Sequence, residues 1–511
     1  MQAAHPPSDL DAFELVVGLE THVQLVTASK MFCACAADAD LAAPNTRTCP
    51  VCLGLPGALP VPNAHAVALA VRAALALGCT VHAHTRFERK SYHYPDLPKG
   101  YQISQYTRPL GTGGGLDVDV EGRAGHVRLE RLHIEEDTAR LVHAAGETRV
   151  DFNRAGIPLV EIVTRPDLRS PDAAAAYVET LRHLLRWIGV STAAMASGAL
   201  RVDVNCSLRR FGDPALGTKV EIKNLNSIAA VRAALAYERR RQAACLARGE
   251  AVAHETRGWD EAAGRTTPQR GKEHAHDYRY FPEPDLPPLV LPEAWLTEQR
   301  AALPELPAAR RGRLVAAHGL RPEDARLLTR DRATADYFEA VLATDGATRA
   351  DPEATPPGPG AGPAPAPATS VAAWITGPLF AALYARGLDV AAVRNHLPPA
   401  HLAALVALVA SGVVTANVGK RVLGEMIDTG SRARDIVDRD GLAQVDDAAD
   451  LRRIAEGVVA ANPKAVADYR AGKTASLGFL IGGVMKATHA QANPDAARRA
   501  VVEALERSAG G

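Results

Sequence analysis

From residue 14 to about residue 290 the chain is built of short segments in which apolar and polar residues alternate, and this restricts the fold more than any other feature. A period of two marks strands with one buried and one polar face. Only two stretches in this region have the period of a strong helix. One follows Ser170-Pro171-Asp172, a capping sequence with Pro in the first turn, and runs through AAAAYVETLRHLLRWIGV. The other is SIAAVRAALAYERRRQAACLARG, residues 227–249, stopped by Gly249. Beyond Pro292 the pattern becomes helical and rich in Ala and Leu. It is broken at 351–368 by DPEATPPGPGAGPAPAPA, which has no apolar period and is expected to be a disordered loop; AAWITGPLFAALYARG then resumes a helix. A chain of 511 residues needs more than one core. The expectation is an α+β protein. An antiparallel-sheet cradle with inserted helices covers 1–293, a helical domain carrying the 351–368 insertion covers 294–414, and a helical tail covers 415–511.

On several strands the polar phase carries groups with chemistry. Glu20, His22 and Gln24 share one phase of GLETHVQL; Arg201, Asp203, Asn205 and Ser207 share one phase of RVDVNCS; Lys219, Glu221 and Lys223 do so in KVEIKN. LHIEEDTARL adds His133, Glu135, Glu136 and Asp137, and DFNRAGIPLVEIV adds Asp151, Asn153, Arg154 and Glu161. If these strands are neighbours, their polar faces merge into one cradle. Carboxylates and Asn suit Mg²⁺, and Lys and Arg suit phosphate oxygens. A sheet with one wet face produces the same alternation, so the pattern alone leaves both readings open. FERKSYHYPDLPKGYQISQYTRPL, residues 87–110, interleaves Arg89, Lys90 and Lys99 with Tyr92, Tyr94, Tyr101 and Tyr106. That mixture suits a nucleobase with its phosphates, or equally a Pro-rich surface loop with structural tyrosines. LGTGGGLD, residues 110–117, is followed by no Gly-Lys-Ser/Thr and is expected to be a hairpin turn, not a phosphate loop.

MFCACAADADLAAPNTRTCPVCLGLPG, residues 31–57, holds four of the seven cysteines: Cys33, Cys35, Cys49 and Cys52. Lys+Arg 58 balances Asp+Glu 58, so the total charge provides no polyanion-binding field. No basic leader followed by an apolar run opens the chain, and the apolar runs at 66–77 and 402–414 are too short to span a bilayer. The expectation is a soluble cytoplasmic protein with reduced thiols and no disulfides. A C-x-C and a C-x-x-C can each present two thiolates to one tetrahedral zinc ion. Four free thiols in a loop and a redox pair are the alternatives. A closed four-thiolate site leaves no position for substrate, so a zinc ion there would be structural.

Taken together, GLETHVQL, CPVCLGLPGALPVPN, RKSYHYPDLPKGYQISQY, LHIEEDTARL, DFNRAGIPLVEIVT, RVDVNCS, KVEIKNLNS and AHDYRYFPEPDLPPL closely resemble the B subunit of the Asp/Glu-tRNA amidotransferase. AAWITGPL, ANPKAVADYRAGK and GFLIGGVMKAT resemble that family's helical and tail domains. The resemblance implies phosphorylation of the side-chain carboxylate of Glu-tRNA(Gln) or Asp-tRNA(Asn) with ATP and Mg²⁺, then amidation by ammonia. It also implies a heterotrimer with a glutaminase A subunit and a small C subunit. Carried over by motif, Glu20, His22, Glu135, Glu136, Asp203, Asn205 and Glu221 surround metal and ammonia, with Glu20, His22 and Glu135 as Mg²⁺ ligands. Lys90, Arg154, Lys219 and Lys223 face nucleotide and acyl-phosphate oxygens, while Tyr92 and Tyr101 flank the adenine or the terminal adenosine of the tRNA. Lys464, Arg470, Lys473 and Lys486 are the implied RNA contacts. The archaeal Glu-specific relative carries an extra domain between cradle and helices, whereas here PPLVLPEAWL runs directly into helices. AAGRTTPQRGKEHAHDYRYF departs from the family's commoner wording, as does Ala373, where the family usually has Asn. A non-catalytic, zinc-stapled adaptor that only delivers tRNA is the reading from another class.

Overall fold

The alternation of the first strand, Phe13–Gln24, appears directly as burial: Leu19, Thr21 and Val23 point into the core, and Glu20, His22 and Gln24 stand on the other face. This computed structural model describes residues 12–144, 146–271, 278–347, 366–443, 448–488 and 491–508. They form two compact units, Met1–Leu306 and Pro307–Gly511. The first is an α+β unit around a ten-stranded sheet. Its central path runs Val220–Leu225, Leu200–Arg210, Phe13–Gln24, Pro158–Thr164, Arg123–Glu136, every neighbouring pair antiparallel. The one parallel pair in the sheet joins Val220–Leu225 to Glu255–Asp260.

Register places the chemistry. His22 lies opposite Glu161 on one side and Arg201 on the other, and Glu161 lies opposite His133. Glu20 lies opposite Asp203, and Asn205 opposite Glu221. A polar row therefore crosses five strands on one face. A slip of one residue on any of these strands would turn its polar set into the core.

Both expected helices form, as Pro171–Trp187 and Ile228–Ala247. Ser170 Oγ accepts from Ala173 N at 3.0 Å, and Ser227 Oγ accepts from Ala230 N at 3.0 Å. Caps of this kind contribute about 1 kcal/mol each. Gln242 Nε2 donates to Cys206 Sγ at 3.6 Å, which puts the second helix on the apolar side of the sheet. A third helix, Ala64–Ala76, occupies most of the 66–77 apolar run. It is buried on nearly every side and so carries little amphipathic period for a sequence reading to find.

The glycine run at 110–117 is not a hairpin turn. Gly111–Thr112 and Gly115–Val120 both pair with the long strand Arg123–Glu136, and Gly113 and Gly114 link them with φ of 67° and 78°. A side chain at Gly114 would strike the backbone of Leu77 and Cys79, so only glycine allows this crossing. The hairpin turn falls later, at Glu121 and Gly122, with φ of 53° and 81°.

The second unit is helical. One core gathers side chains between Leu314 and Leu442, and a second gathers those between Leu451 and Leu505. The packing break therefore comes later than the expected 414/415 border, because Val418, Val422, Leu423 and Met426 face the earlier core. Of the 351–368 stretch, 351–365 lie outside the described residues, and Ala368 already opens a helix. The helix expected from AAWITGPLFAALYARG is interrupted by a π-turn at Ile375–Leu379 around Pro378, which has no N–H to donate. No helix among the described residues is long and apolar enough to cross a membrane.

Candidate active site and cysteine clip

At the centre of the polar row, His22, Glu135 and Glu161 each offer a ligand atom within 4.8 Å of the others. His22 Nε2 stands 3.5 Å from Glu161 Oε2 and 3.8 Å from Glu135 Oε2. His133 Nε2 bridges the same two carboxylates at 3.1 and 3.3 Å. Glu135 is 1% exposed and Glu161 6%, so this is no wet sheet face. Burial drives both carboxyls upward and Glu161 adds to that for Glu135, yet both are held below the ordinary carboxylate range. Lys90 and His133 do this for Glu135, and His133 and His22 for Glu161. Burial alone would lower His133, but Glu161 and Glu135 push it up to about 9. Burial likewise opposes the positive form of Lys90, which Glu135, Tyr280 and Glu161 nevertheless hold above the usual lysine value.

A second layer fixes these groups. A small sheet of Glu88–Ser91, Tyr101–Ser104 and Arg279–Pro282 covers this part of the site. From it Ser104 Oγ donates to Glu135 Oε1 at 2.7 Å, and Gln102 Nε2 donates to Glu135 Oε2 at 3.2 Å. Lys90 lies 5.0 Å from the Tyr278 ring centroid, and Tyr92 meets Tyr278 edge to face. Two buried carboxylates converging beside an imidazole suit a divalent cation, with the carboxylates as the hard ligands.

The row continues on either side. Asn205 Nδ2 donates to Glu20 Oε1 at 2.9 Å, and Lys223 Nζ reaches Asp203 Oδ2 at 2.8 Å and Glu221 Oε1 at 3.4 Å. Glu221 Oε2 also accepts from Thr256 Oγ1 at 2.7 Å. Asp137, fully enclosed, takes both terminal nitrogens of Arg201 at 2.9 Å and Gln24 Nε2 at 2.8 Å. Burial opposes its ionisation, but Arg201 and Arg154 hold its pKa below the ordinary value. Arg201→Met should destabilise the protein by about 3 kcal/mol at neutral pH, because Asp137 would be buried without its bidentate partner. A depressed carboxyl stabilises above its unfolded value and loses that contribution as pH falls. The gap between variant and parent in urea denaturation should therefore narrow below about pH 4. Equal denaturation midpoints at pH 7 would exclude this role for the pair.

The four sulfurs of Cys33, Cys35, Cys49 and Cys52 also lie within 4.8 Å of one another, and all seven cysteines are free thiols. Tetrahedral zinc–thiolate bonds place sulfurs about 3.8 Å apart, so the cluster fits such an ion with little closure. Two turns make it. Lys30 N donates to Cys35 O at 2.9 Å, and Cys49 N donates to Cys52 Sγ at 3.2 Å. Side chains from the 151–153 turn hold the loop: Asp151 Oδ1 accepts from Asn45 N at 3.0 Å, and Asn153 Oδ1 from Arg47 N at 2.8 Å. Lys30 is wholly buried, with Nζ 3.8 Å from Cys52 Sγ and 3.3 Å from the Phe152 carbonyl.

Residues 15–297 match the GatB/GatE catalytic domain, and residues 363–505 match the GatB domain. The B subunit of the aspartyl/glutamyl-tRNA(Asn/Gln) amidotransferase of Thermomicrobium roseum is 50% identical over 499 residues, covering 97% of this chain and 99% of the relative. The corresponding B subunits of Moorella thermoacetica and Dehalococcoides mccartyi are 47% and 46% identical, over 96% and 97% of this chain and 100% and 99% of their own lengths. The chain belongs to the amidotransferase B-subunit family.

Within this B-subunit fold, the residues carried over by motif fall into separate groups. His22 and Glu135 meet, and Glu20, Asp203, Asn205, Glu221 and Lys223 extend their row. Glu136 does not join them. As the neighbour of Glu135 in a strand it points to the reverse face, where Ile103 N donates to it and Lys99 pairs with it. There it lines a cavity of about 200 Å³ shared with Cys33, Cys52 and Tyr101. Tyr101 and Tyr92 are likewise split: Tyr101 stacks under the Arg89 guanidinium at 4.2 Å, while Tyr92 remains with Lys90 and Tyr278. Arg154 donates to the carbonyls of Thr138 and Ala139 at 3.0 and 2.9 Å, beside Asp137 and not beside Glu161. Lys219 sits at the rim of a neighbouring cleft. In the second unit Lys464 and Lys486 are exposed, whereas Arg470 donates to Ser508 Oγ and Lys473 to Asp468 Oδ1.

Motif matching passed over Glu161 and His133 as site residues, although both stand on the polar phase of their strands. The signal was available: an acidic residue inside the apolar run PLVEIV has no cheap place unless a partner is buried with it.

Proposed function

We propose that this chain uses ATP to phosphorylate the side-chain carboxylate of Glu-tRNA(Gln), Asp-tRNA(Asn) or both, and then converts the acyl phosphate to the amide with ammonia. The observation that carries this reading is the convergence of His22, Glu135 and Glu161, with Lys90 beside them, on one sheet face. A carboxylate is a poor electrophile. One of its oxygens attacks the γ-phosphorus of ATP and ADP departs. Ammonia then attacks the carbonyl carbon, and phosphate leaves with the bonding pair. Phosphoryl transfer needs positioning and charge neutralisation more than covalent help. A bound Mg²⁺, held by His22, Glu135 and Glu161, would supply neutralisation of the phosphoryl oxygens. His133, Ser104 and Gln102 orient the two carboxylates, and Lys90 balances their charge. Lys223, braced by Asp203 and Glu221, is placed to meet phosphate oxygens.

The ammonia comes from a glutaminase A subunit in a heterotrimer that includes a small C subunit. Zn²⁺ on Cys33, Cys35, Cys49 and Cys52 is structural in this reading, since four thiolates fill its coordination. The tail, with exposed Lys464 and Lys486, reads the shape and backbone of the tRNA more than its sequence. The test is aminoacyl-tRNA-dependent ADP release by the reconstituted heterotrimer, with the acyl phosphate trapped as a hydroxamate. ADP release and hydroxamate that both require Glu-tRNA(Gln) or Asp-tRNA(Asn) are expected. A complex that binds the tRNA but releases no ADP would instead be the delivery adaptor.

A further inference from the structure

Past its antiparallel path the sheet gains one parallel strand. Val220–Leu225, the helix Ile228–Ala247 and Glu255–Asp260 form a crossover unit that lays Thr256 beside Glu221 in register. Thr256 is 1% exposed, and its Oγ1 donates to Glu221 Oε2 at 2.7 Å. The other oxygen, Glu221 Oε1, lies 3.4 Å from Lys223 Nζ, which Asp203 Oδ2 also holds at 2.8 Å. Burial opposes the charge on Lys223, yet Asp203 and Glu221 push its pKa up to about 12. The next residue along the edge strand, Arg257, serves the reverse face. Its Nε donates to Thr266 Oγ1 at 2.8 Å and stands 3.2 Å from Oε1 of Glu238. Glu238 is a fully buried carboxylate of the helix that also takes Arg241 Nε at 2.8 Å.

We propose that Thr256 is a positioning residue for phosphoryl transfer: its hydroxyl fixes the Glu221 carboxylate and, through it, the Lys223 ammonium. This role rests on the reading that Lys223 meets phosphoryl oxygens. A lysine ammonium is a point charge on a flexible four-carbon stem, so it acts at a fixed place only when braced. The brace is itself soft, because the terminal torsion of a glutamate side chain has broad wells. A buried, β-branched threonine is stiff at χ1 and supplies a donor that does not wander. With Oε2 taken by that donor, the carboxylate plane is set and Oε1 is left turned to Lys223. The edge strand cannot drift out of this arrangement. A slip of one residue would turn Thr256 from the row and take Arg257 from Glu238, one of the two arginines that balance that buried charge.

The experiment measures aminoacyl-tRNA-dependent ADP release by the full heterotrimer carrying Thr256→Val, Thr256→Ser or Lys223→Met, and the Thr256→Val/Lys223→Met pair. Thr256→Val should lower kcat about tenfold, with the KM for ATP and for aminoacyl-tRNA within about twofold of the parent. Thr256→Ser, which keeps the hydroxyl, should restore kcat to within about twofold of the parent. In the Lys223→Met background Thr256→Val should cost less than about twofold more, since the group it positions is already gone. A hydroxyl that only packs the strand would instead give losses that multiply in the pair. Parent kcat in Thr256→Val, a serine variant no better than valine, or multiplying losses each overturn the role. If the valine variant does not assemble, Thr256→Ala removes the hydroxyl without placing a methyl group against the carboxylate and is read the same way. The premise fails separately: Lys223→Met at the parent rate removes Lys223 from the phosphoryl site and overturns the role of Thr256 with it.

Discussion

Glu161→Gln should lower formation of amidated aminoacyl-tRNA by about a hundredfold or more while the complex still folds and still hydrolyses glutamine. The substitution keeps shape and removes one charge. In the parent, Glu161 stands within 3.5 Å of both His22 and His133, and its carboxylate gives the cluster half of its anionic ligands. With glutamine there, Glu135 is left as the only carboxylate of the three-ligand group. Loss should therefore appear in the phosphorylation step, read as aminoacyl-tRNA-dependent ADP release, and not only in the amidation step. If ADP release persists at the parent rate, Glu161 is a structural partner of the two histidines and the phosphoryl site lies elsewhere on the row. Glu135→Gln should behave alike, since the two carboxylates face one point.

Loss of the zinc proposed for the cysteine clip should have the second large effect, on stability and not on chemistry. Protein purified without chelators should carry one zinc per chain. Cys52→Ser should lose it and melt roughly 5–10 °C lower, because metal binding to such a site is folding free energy. The clip holds more than its own loop. Lys30 joins Cys52 to the Phe152 carbonyl, and Asp151 and Asn153 join the same turn to Asn45 and Arg47. From that turn the chain runs straight into Pro158–Thr164 and Glu161. Lys30→Met should accordingly release zinc to a chromogenic chelator faster than the parent, since the buried ammonium offsets the excess negative charge of four thiolates on one ion. Zinc-free protein with an unchanged melting temperature would reduce the four cysteines to loop thiols.

Much of the site is legible in the residues alone. Period-two alternation identifies the strands around Glu20, His22, Asp203, Asn205 and Glu221 and the phase on which these residues stand, because pleating leaves no other choice. The C-x-C and C-x-x-C spacing brings four thiols to one place for a similar reason: each pair is held by a turn of its own. The helices at 171–187 and 228–247 are readable from their serine caps. The helix at 64–76 is not, since burial on nearly all sides erases the amphipathic stripe.

The motif words set the family, and the strand periods set which residues could share a face. Neither could set register between strands distant in sequence, and register is where the chemistry is decided. His22 meets Glu161 and Glu135 only because 13–24 pairs with 158–164 across more than a hundred residues of chain and 158–164 pairs in turn with 123–136. The same pairing sends Glu136 to the reverse face, although it sits next to Glu135 in the chain. Local spacing is dictated by backbone geometry and is written in the chain. Contact between strands is dictated by how their apolar faces pack against the core, and only the folded protein settles it.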